Sequence, residues 1–188
     1  MIAGRAAVFL DRDGVLIQDR VDRPPTLDEI VLLPGVAEAV AALAEADFAL
    51  MVVTNQAWVG KGELSNDDAH KAHNKLVSAL RDCSPGCCVG LYHSRYSPHR
   101  PESYRRDLIL RKPAPGMLFA AAFGHGLNLA SSYMVGDQAS DIEAGRRAGV
   151  RACVLIRGRE TGDCGADYVA EDLAEAATWI VKHRAKES

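Results

Sequence analysis

Short apolar runs alternate with longer helical patterns along the chain, and this alternation limits the fold more than any other feature of the sequence. The runs are rich in β-branched and aromatic residues, which predicts buried strands, and each has helical sequence beside it. Such alternation is typical of a parallel sheet with crossover helices. We therefore predict an α/β, doubly wound, Rossmann-like, mainly parallel sheet with helices on both faces. The predicted strands are 6–10, 49–53, 89–92, 133–135 and 152–156, and the predicted helices are 36–46, 67–80, 116–123, 140–148 and 172–182.

The length of 188 residues suits a single hydrophobic core. We expect one domain over residues 1–188, with short insertions and no large cap domain. Residues 15–33 carry prolines and mixed charges and are predicted to form a flap over the sheet edge. Residues 94–111 contain five arginines and are predicted to form a long basic loop on the substrate side. Ser65 is expected to cap the helix that follows it.

Charge and composition exclude several classes of protein. The chain has 22 Lys and Arg against 25 Asp and Glu, a net charge of −3, so it lacks the basic excess of a nucleic-acid-binding protein. The first apolar stretch is interrupted by Asp11 before it reaches the length of a signal-peptide core, and no apolar run is long enough to span a membrane. The five cysteines are expected to be free thiols. We expect a cytoplasmic monomer with no nucleic-acid partner and no membrane association.

The strongest local signal is FLDRDGV at residues 9–15. An apolar strand leads directly into two carboxylates one residue apart, followed by a glycine at which the chain can turn. At the end of a strand, Asp11 and Asp13 can converge on one point, where their repulsion calls for a cation or a proton. Mg²⁺ suits such a site because it prefers oxygen ligands and keeps waters that a phosphate can replace. By itself the pattern is also common in turns and calcium loops.

Three further segments place polar groups where parallel strands end or helices begin. In a doubly wound sheet, the crevice beyond the carboxyl ends of the strands collects such groups. Each segment has an alternative structural explanation: a helix cap for Thr54, solvated charges for the two cations, and a helix-dipole contact for Asp141. The segments are Thr54-Asn55-Gln56, Arg111-Lys112 and Asp137 to Asp141.

Taken in order, FLDRDGV, VVTNQ, RKPxPGML and YMVGDxxxDIxAG resemble the four motifs of the haloacid dehalogenase (HAD) superfamily of phosphatases. The likeness covers nearly the whole chain and is greatest to the branch that acts on heptose 1,7-bisphosphate and histidinol phosphate. It implies a Mg²⁺-dependent phosphomonoesterase that forms an aspartyl-phosphate intermediate. Asp11 is then the nucleophile, and Asp13 is first the general acid and later the general base.

The resemblance also implies a ligand set. Mg²⁺ is expected to be held by the Asp11 carboxylate, the Asp13 backbone carbonyl and Asp137, with Asp141 as outer support. A second phosphate is expected on Arg111, together with Lys61 or an arginine of residues 95–106. Asp19 and Asp22 of the flap are expected to face sugar hydroxyls. The full set of expected substrate-binding residues is Asp19, Asp22, Thr54, Asn55, Gln56, Arg111, Lys112 and Gln138.

The chain departs from this branch at its zinc loop. Alignment places Ser94, Tyr96, Leu108 and Leu110 at the four ligand positions, and none of these is a usual zinc ligand. We expect no zinc, and a loop that closes instead on apolar contacts from Leu108 and Leu110. A relocated site formed by Cys83, Cys87, Cys88 and His93 is a weaker alternative, because Cys87 and Cys88 should point to opposite faces of a strand.

Two further departures concern the substrate. Trp58 stands close to the TNQ motif where the branch usually has glycine, and Gln138 replaces a lysine. The expected substrate is a small sugar bisphosphate. The expected reaction is removal of the C7 phosphate from D-glycero-D-manno-heptose 1,7-bisphosphate. If the protein is an enzyme, histidinol phosphate is the alternative substrate, and its amine would require an acidic subsite. A receiver-like phosphoacceptor and an inactive HAD homologue are the alternatives that are not enzymes.

Overall fold

A single six-stranded parallel sheet forms the centre of the molecule. The computed structural model describes residues 4–158 and 162–185. All neighbouring strands pair in parallel, in the order β3-β2-β1-β4-β5-β6, which confirms the predicted fold class. The strands are β1 (Ala7–Leu10), β2 (Ala49–Asn55), β3 (Val89–Ser94), β4 (Tyr133–Gly136), β5 (Ala152–Ile156) and β6 (Tyr168–Ala170).

Helices cover both faces of the sheet. Adjacent residues of a strand point to opposite faces, so β1 sends Val8 and Leu10 into one core and Ala7 and Phe9 into the other. The first core also contains residues of α1, α3 and α6, and the second contains residues of α4 and α5. The helices are α1 (Val36–Glu45), α2 (Ala57–Lys61), α3 (Asn66–Cys83), α4 (Gly116–His125), α5 (Ala139–Ala148) and α6 (Leu173–Ala185).

The predicted elements are all present, with ends that differ by a few residues. Ser65 caps α3 as predicted, because its hydroxyl accepts a hydrogen bond from the Asp68 backbone N–H at 3.0 Å. Two short elements were not predicted: strand β6 and helix α2. Each is too short to show a full period of apolar residues, which explains why the pattern did not reveal them.

The strand order creates a crevice beside β1. The chain moves outward from β1 through β2 to β3, then returns to the other side of β1 as β4. Loops that leave β1 and β4 therefore run in opposite directions, and the carboxyl ends of these strands open onto a shared space. Register places Leu10 beside both Val52 and Val135. The residues that follow these positions begin at the same level of the sheet, which is where the sequence predicts the chemistry.

Residues 15–33, the predicted flap, leave the carboxyl end of β1 and fold back towards it. Val15, Leu16 and Ile17 are buried, and Ile17 forms an antiparallel bridge with Leu32. The tip carries Glu29, which forms ion pairs with Arg20 at 2.8 Å and with Arg23. The base of this flap is thus part of the apolar core, whereas its tip is held together by the ion pairs of Glu29.

The prediction for residues 94–111 is wrong in how this loop is held. Leu108 is 48% exposed, so it does not close the loop, although Leu110 packs against the second core. Asp107 is the buried anchor instead: its carboxylate pairs with the Arg95 guanidinium at 2.9 Å, and its carbonyl accepts a hydrogen bond from the Ser94 hydroxyl at 2.9 Å. The loop is therefore fastened to the end of β3 by polar contacts.

The helices were also compared with the requirements of a membrane span. Within residues 4–158 and 162–185, none is both long and apolar enough to cross a bilayer.

Buried His73 makes the stability of the fold depend on pH. The pKa of His73 is lowered to about 3, mainly by burial and also by the charges of His93, Arg12 and His70. The folded protein therefore keeps His73 neutral at a pH where the unfolded chain, with an ordinary histidine pKa near 6.5, takes up a proton. Because the unfolded state binds more protons, the contribution of this residue to stability falls as the pH falls below about 6.5.

We predict that the His73→Gln variant loses less stability than the parent protein when the pH is lowered from 7 to 5. The difference should be about 2 kcal/mol, the linkage energy of one histidine kept neutral over that interval. Urea unfolding at both pH values measures it. His99→Gln, a change of an exposed histidine in the loop, is the control. Equal pH dependence in the parent and His73→Gln would contradict the burial argument.

Candidate active site

A cavity of about 280 Å³ lies at the carboxyl ends of β1, β2 and β4. Its floor is formed by groups that directly follow these strands, and its mouth by the flap and by α2. Most of the residues that the sequence predicted for the site meet there. The lining residues are Asp11, Asp13, Asp19, Arg20, Val21, Pro25, Thr54, Asn55, Ala57, Trp58, Lys61, Arg111, Lys112, Gln138, Ser140 and Asp141.

The Lys112 ammonium is the central charge of the floor. Its Nζ lies 2.7 Å from Asp11 Oδ1 and 2.6 Å from Asp141 Oδ1, and it donates a hydrogen bond to the Val53 carbonyl at 2.8 Å. The side chain is only 1% exposed. Burial opposes the charge of Lys112, but the two carboxylates outweigh it and raise the pKa of this lysine. Lys112 therefore links residues from three distant parts of the sequence.

Asn55 positions the backbone that carries this lysine. Its Nδ2 donates to the Lys112 carbonyl at 3.1 Å, and its Oδ1 accepts from the Lys112 N–H at 3.0 Å. The side chain of a residue at the end of β2 thereby ties the segment before α4 to the sheet. The sequence predicted Asn55 as a phosphate contact, and the structure adds this positioning contact.

Three buried carboxylates face the single Lys112 ammonium. Oxygen atoms of Asp11, Asp137 and Asp141 lie within 4.8 Å of one another. The pKa of Asp11 is raised to about 8, mainly by burial and also by the charges of Asp141 and Asp13, against the opposing effect of Lys112. Burial and the charge of Asp141 also raise the pKa of Asp137 to about 6. Full ionisation of all three carboxyl groups would therefore give the floor more negative than positive charge in a place that water screens poorly, and a proton or a further cation is needed to offset it.

This cluster has the properties of a site for a hard divalent cation. Asp137 Oδ1 is buried and has no hydrogen-bond partner among the described residues, which is costly unless something else satisfies it. Three carboxylates within reach of one point match the oxygen preference of Mg²⁺. The residues present therefore fit the metal that the sequence predicted, and Asp141 belongs to the same group of neighbouring carboxylates as Asp11 and Asp137.

Gly14 leaves the space into which Asp137 fits. Its φ of +82° is in the left-handed region, and a Cβ at this position would lie 2.3 Å from Asp137 Oδ2. No side chain larger than hydrogen fits beside that carboxylate without displacing it. The glycine of the FLDRDGV run therefore serves both the turn after β1 and the placement of an acidic residue from β4.

The mouth of the cavity is rich in cations. Lys61, Arg111 and Arg20 line it, and the Lys61 ammonium lies 4.0 Å from the centre of the Trp58 ring. Arg111 is held from behind by a hydrogen bond from its Nη1 to the Tyr96 carbonyl at 3.1 Å. Asp19 is the acidic residue among these groups.

Two of the predicted substrate-binding residues lie elsewhere. Asp22 is exposed at the tip of the flap and is absent from the described cavity lining, because the flap turns its neighbours inward instead. Gln56 is 1% exposed and lies behind the wall, where its Nε2 donates to Thr54 Oγ1 at 2.8 Å. Neither side chain is among the described residues that line the cavity, and their direct contact with substrate stays a prediction.

Other lining residues were missed, and two of the four arginines proposed within residues 95–106 are engaged elsewhere. Arg20 and Ser140 line the cavity. Ser140 lies between Asp137 and Asp141 and could have been found from that spacing, whereas nothing in the sequence showed which flap residue faces inward. Of the arginines proposed within 95–106, Arg95 pairs with Asp107, and Arg100 donates to the Lys61 carbonyl at 2.8 Å.

The alternative cysteine cluster is spread over two faces of the sheet. Cys87 packs with the first core and Cys88 with the second, as the sequence predicted. Cys88 Sγ lies 3.5 Å from His125 Nδ1, a residue of α4 rather than of the proposed set.

Comparison with known proteins gives consistent matches. A family model described as HAD-hydrolase-like matches residues 109–176. A D-glycero-D-manno-heptose-1,7-bisphosphate 7-phosphatase of Thermosynechococcus vestitus is 38% identical over 96% of this chain and 98% of its own. A D-glycero-beta-D-manno-heptose-1,7-bisphosphate 7-phosphatase of Escherichia coli is 33% identical over 95% of both chains.

A solved structure agrees with these sequence matches. The D,D-heptose 1,7-bisphosphate phosphatase of B. bronchiseptica, in complex with magnesium and phosphate, has a TM-score of 0.80 and 29% identity, over 95% of this chain and 99% of its own. The chain belongs to the haloacid dehalogenase superfamily and is a phosphatase, which confirms the resemblance seen in its four motifs. Within that superfamily, it is similar to the heptose-1,7-bisphosphate 7-phosphatases over nearly its whole length.

We predict that Gly14→Ala lowers kcat/KM for phosphate release by about 100-fold, because the new methyl group displaces the Asp137 carboxylate. Gly86→Ala is the matched control: Gly86 has a similar φ of +78°, but no described residue beyond its chain neighbours lies within 4 Å of the methyl group that alanine would add. Both variants bear similar backbone strain, and Gly14→Ala adds the clash with Asp137, so its melting temperature should fall at least as far as that of Gly86→Ala. Equal activity of the two variants would show that the space beside Asp137 is unimportant.

Proposed function

We propose that this phosphatase is a Mg²⁺-dependent phosphomonoesterase that removes the C7 phosphate from D-glycero-D-manno-heptose 1,7-bisphosphate. The observation that carries the proposal is the buried group of three carboxylates around Lys112, with a set of cations at the mouth of the same cavity. The floor suits one phosphate and a metal, and the mouth suits a second anionic group. The names of the relatives supply the identity of the sugar.

In the first step, an Asp11 carboxylate oxygen attacks the phosphorus atom of the C7 phosphate. The bond between phosphorus and the C7 oxygen breaks, and its electron pair stays on that oxygen, which takes a proton from Asp13. The product is an aspartyl-phosphate. Lys112 keeps Asp11 directed into the cavity, since its Nζ is already 2.7 Å from Oδ1.

In the second step, water attacks the phosphorus atom of the aspartyl-phosphate. The bond between phosphorus and the Asp11 oxygen breaks and its electrons return to the carboxylate, while Asp13 accepts a proton from the water. Inorganic phosphate leaves, and both aspartates regain their initial states. Asp13 lines the cavity and is part-exposed at 21%, so it can reach both the leaving oxygen and water.

Asp11, Asp137 and the Asp13 backbone carbonyl are the groups that would hold Mg²⁺, and Asp141 is close enough to join or support them. When bound, Mg²⁺ supplies positive charge that offsets the repulsion between these carboxylates and a phosphate dianion. The partnerless Asp137 Oδ1 and the charge imbalance of the floor support this assignment.

Thr54 is oriented to donate a hydrogen bond to a phosphate oxygen. Its Oγ1 accepts a hydrogen bond from Gln56 Nε2, so its own hydroxyl proton can point towards the cavity. Together with Lys112 and the backbone at Asn55, it would bind the equatorial oxygens over which charge spreads during phosphoryl transfer.

The second phosphate of the sugar would lie against Arg111, Lys61 and Arg20. Arg111 is half-buried and fixed by Tyr96, so its planar guanidinium can contact two phosphate oxygens at once. A histidinol phosphate amine would meet these three cations and only Asp19 as an acidic neighbour among the lining residues described at the mouth. This arrangement favours a bisphosphate over histidinol phosphate.

Phosphate release from the two candidate substrates at equal concentration tests the proposal. We expect faster turnover of heptose 1,7-bisphosphate than of histidinol phosphate, and loss of turnover when a chelator removes divalent metal, with recovery on addition of Mg²⁺. Binding of Mg²⁺, measured by calorimetry, should weaken in Asp137→Asn. Faster cleavage of histidinol phosphate would overturn the substrate, and activity that survives chelation would overturn the metal dependence.

Replacing Arg111 should discriminate between substrates with one and with two phosphates. We expect Arg111→Met to raise KM for heptose 1,7-bisphosphate by about 10- to 100-fold, the cost of losing a charged hydrogen-bonding partner. KM for heptose 7-phosphate, which lacks the C1 phosphate, should change by less than about threefold. Steady-state kinetics on both sugars provide the measurement. An equal rise in KM for both would place Arg111 at the reacting phosphate instead.

A further inference from the structure

Arg12 lies between the two aspartates of the first motif, and the reaction described above gives it no role. Its side chain is only 2% exposed, which is unusual for arginine unless it is paired. Its Nε and Nη2 atoms each lie within 3.1 Å of both Asp13 carboxylate oxygens, and the two Nη2 contacts are 2.8 Å. The guanidinium therefore faces the whole carboxylate group of its neighbour.

Several contacts hold Arg12 in place. Its backbone N–H donates to Asp11 Oδ1 at 2.7 Å, and its carbonyl accepts hydrogen bonds from the Leu16 and Ile17 N–H groups at 2.9 and 3.1 Å. The backbone of Arg12 is thus fixed both to the nucleophile's side chain and to the base of the flap. A buried side chain on such a backbone has little freedom to turn away from Asp13.

Two histidines, His73 and His93, are near enough to this guanidinium for its charge to act on them. Burial keeps the pKa values of His73 and His93 low, and the positive charge of Arg12 lowers both further. These rings are in contact, with centres 4.8 Å apart, and offer Arg12 no negative charge. Asp13 is therefore the acidic partner towards which the guanidinium is directed.

A second contact completes the support of Asp13. Gln56 Nε2 lies 3.4 Å from Asp13 Oδ2, while the same amide donates to Thr54 Oγ1 at 2.8 Å. This side chain, which the sequence predicted as a substrate contact, is thus placed behind the site. Its contact with Asp13 is the weaker one, because 3.4 Å is long for a hydrogen bond.

We propose that Arg12 is a positioning residue that sets the direction of the Asp13 carboxylate, and that correct proton transfer in both steps depends on it. The inference rests on the general acid and base role proposed for Asp13. Arg12 is only 2% exposed and is not among the described residues that line the cavity, so we assign its effect to its contact with Asp13. The planar fork of arginine fits two carboxylate oxygens, which the compact lysine ammonium cannot match.

An aryl phosphate separates the two steps. The leaving group of p-nitrophenyl phosphate departs without a proton, so aspartyl-phosphate formation needs no acid, whereas hydrolysis of the intermediate still needs Asp13 as base. In Arg12→Met, we expect the first turnover to stay within about threefold of the parent. Steady-state turnover should fall at least about tenfold. The phosphoenzyme, trapped by acid quench, should accumulate, and nitrophenol should appear as a burst.

The control variants separate this inference from the proposed function. Asp13→Asn should show the same burst, Asp11→Asn should form no phosphoenzyme, and Arg147→Met, which removes an exposed arginine paired with Glu143 on α5, should behave as the parent. A burst in Asp13→Asn with none in Arg12→Met would overturn the role of Arg12 alone. Absence of a burst in Asp13→Asn would overturn the role of Asp13, and the inference with it.

Arg12→Lys keeps the test decisive if the methionine variant fails to fold. This variant keeps the positive charge and loses the fork, so we expect a smaller burst and a steady-state rate between those of the parent and Asp13→Asn. Melting temperature and inhibition by inorganic phosphate report whether the fold and the phosphate site are intact. Steady-state turnover and phosphoenzyme levels equal to those of the parent would show that the fork does not position Asp13.

Discussion

The contact of one buried ammonium with two buried carboxylates organises the functional end of this molecule. Lys112 brings Asp11 from β1 and Asp141 from α5 within 2.7 Å of a single nitrogen. A lysine in such a place would lose its charge without these partners, and the carboxylates would repel one another without the lysine. The balance remains incomplete, because Asp137 brings a third negative charge. That deficit of positive charge makes the cavity receptive to a divalent metal and suits it to catalysis on phosphate.

The sheet makes this concentration of charge possible. Strands that are buried on both faces supply two apolar cores, which stabilise the fold independently of the polar groups at the strand ends. The hydrophobic body can therefore hold a floor that is electrostatically unfavourable without ligand. Gly14 shows how closely the apolar body and the polar floor are connected. The turn that follows β1 also leaves the space for the Asp137 side chain. A methyl group added at this turn would reach the Asp137 carboxylate directly.

The parts of the site differ in how well the sequence predicted them. Asp11, Asp13, Thr54, Lys112 and Asp137 follow strands or precede helices, so their position along a parallel sheet follows from the order of the elements. The flap and the basic loop have no such regularity. Asp22 and Arg20 are two residues apart on the flap, yet Arg20 lines the cavity and Asp22 is exposed. Leu108 was expected to close the loop, but Asp107 does so through Arg95.

The sequence by itself determined the fold class, the superfamily and the chemical groups delivered to the strand ends, because alternation of apolar runs and the order of motifs are local properties of the chain. Only the tertiary structure decided which partners those groups take. Asp13 is directed to Arg12, Gln56 lies behind Thr54, and Asp141 contacts Lys112. The contact between Asp141 and Lys112 joins residues far apart in the sequence. The other two join near neighbours, but each of these side chains has several polar groups within reach, and which of them becomes its partner is set only when the strands and helices pack.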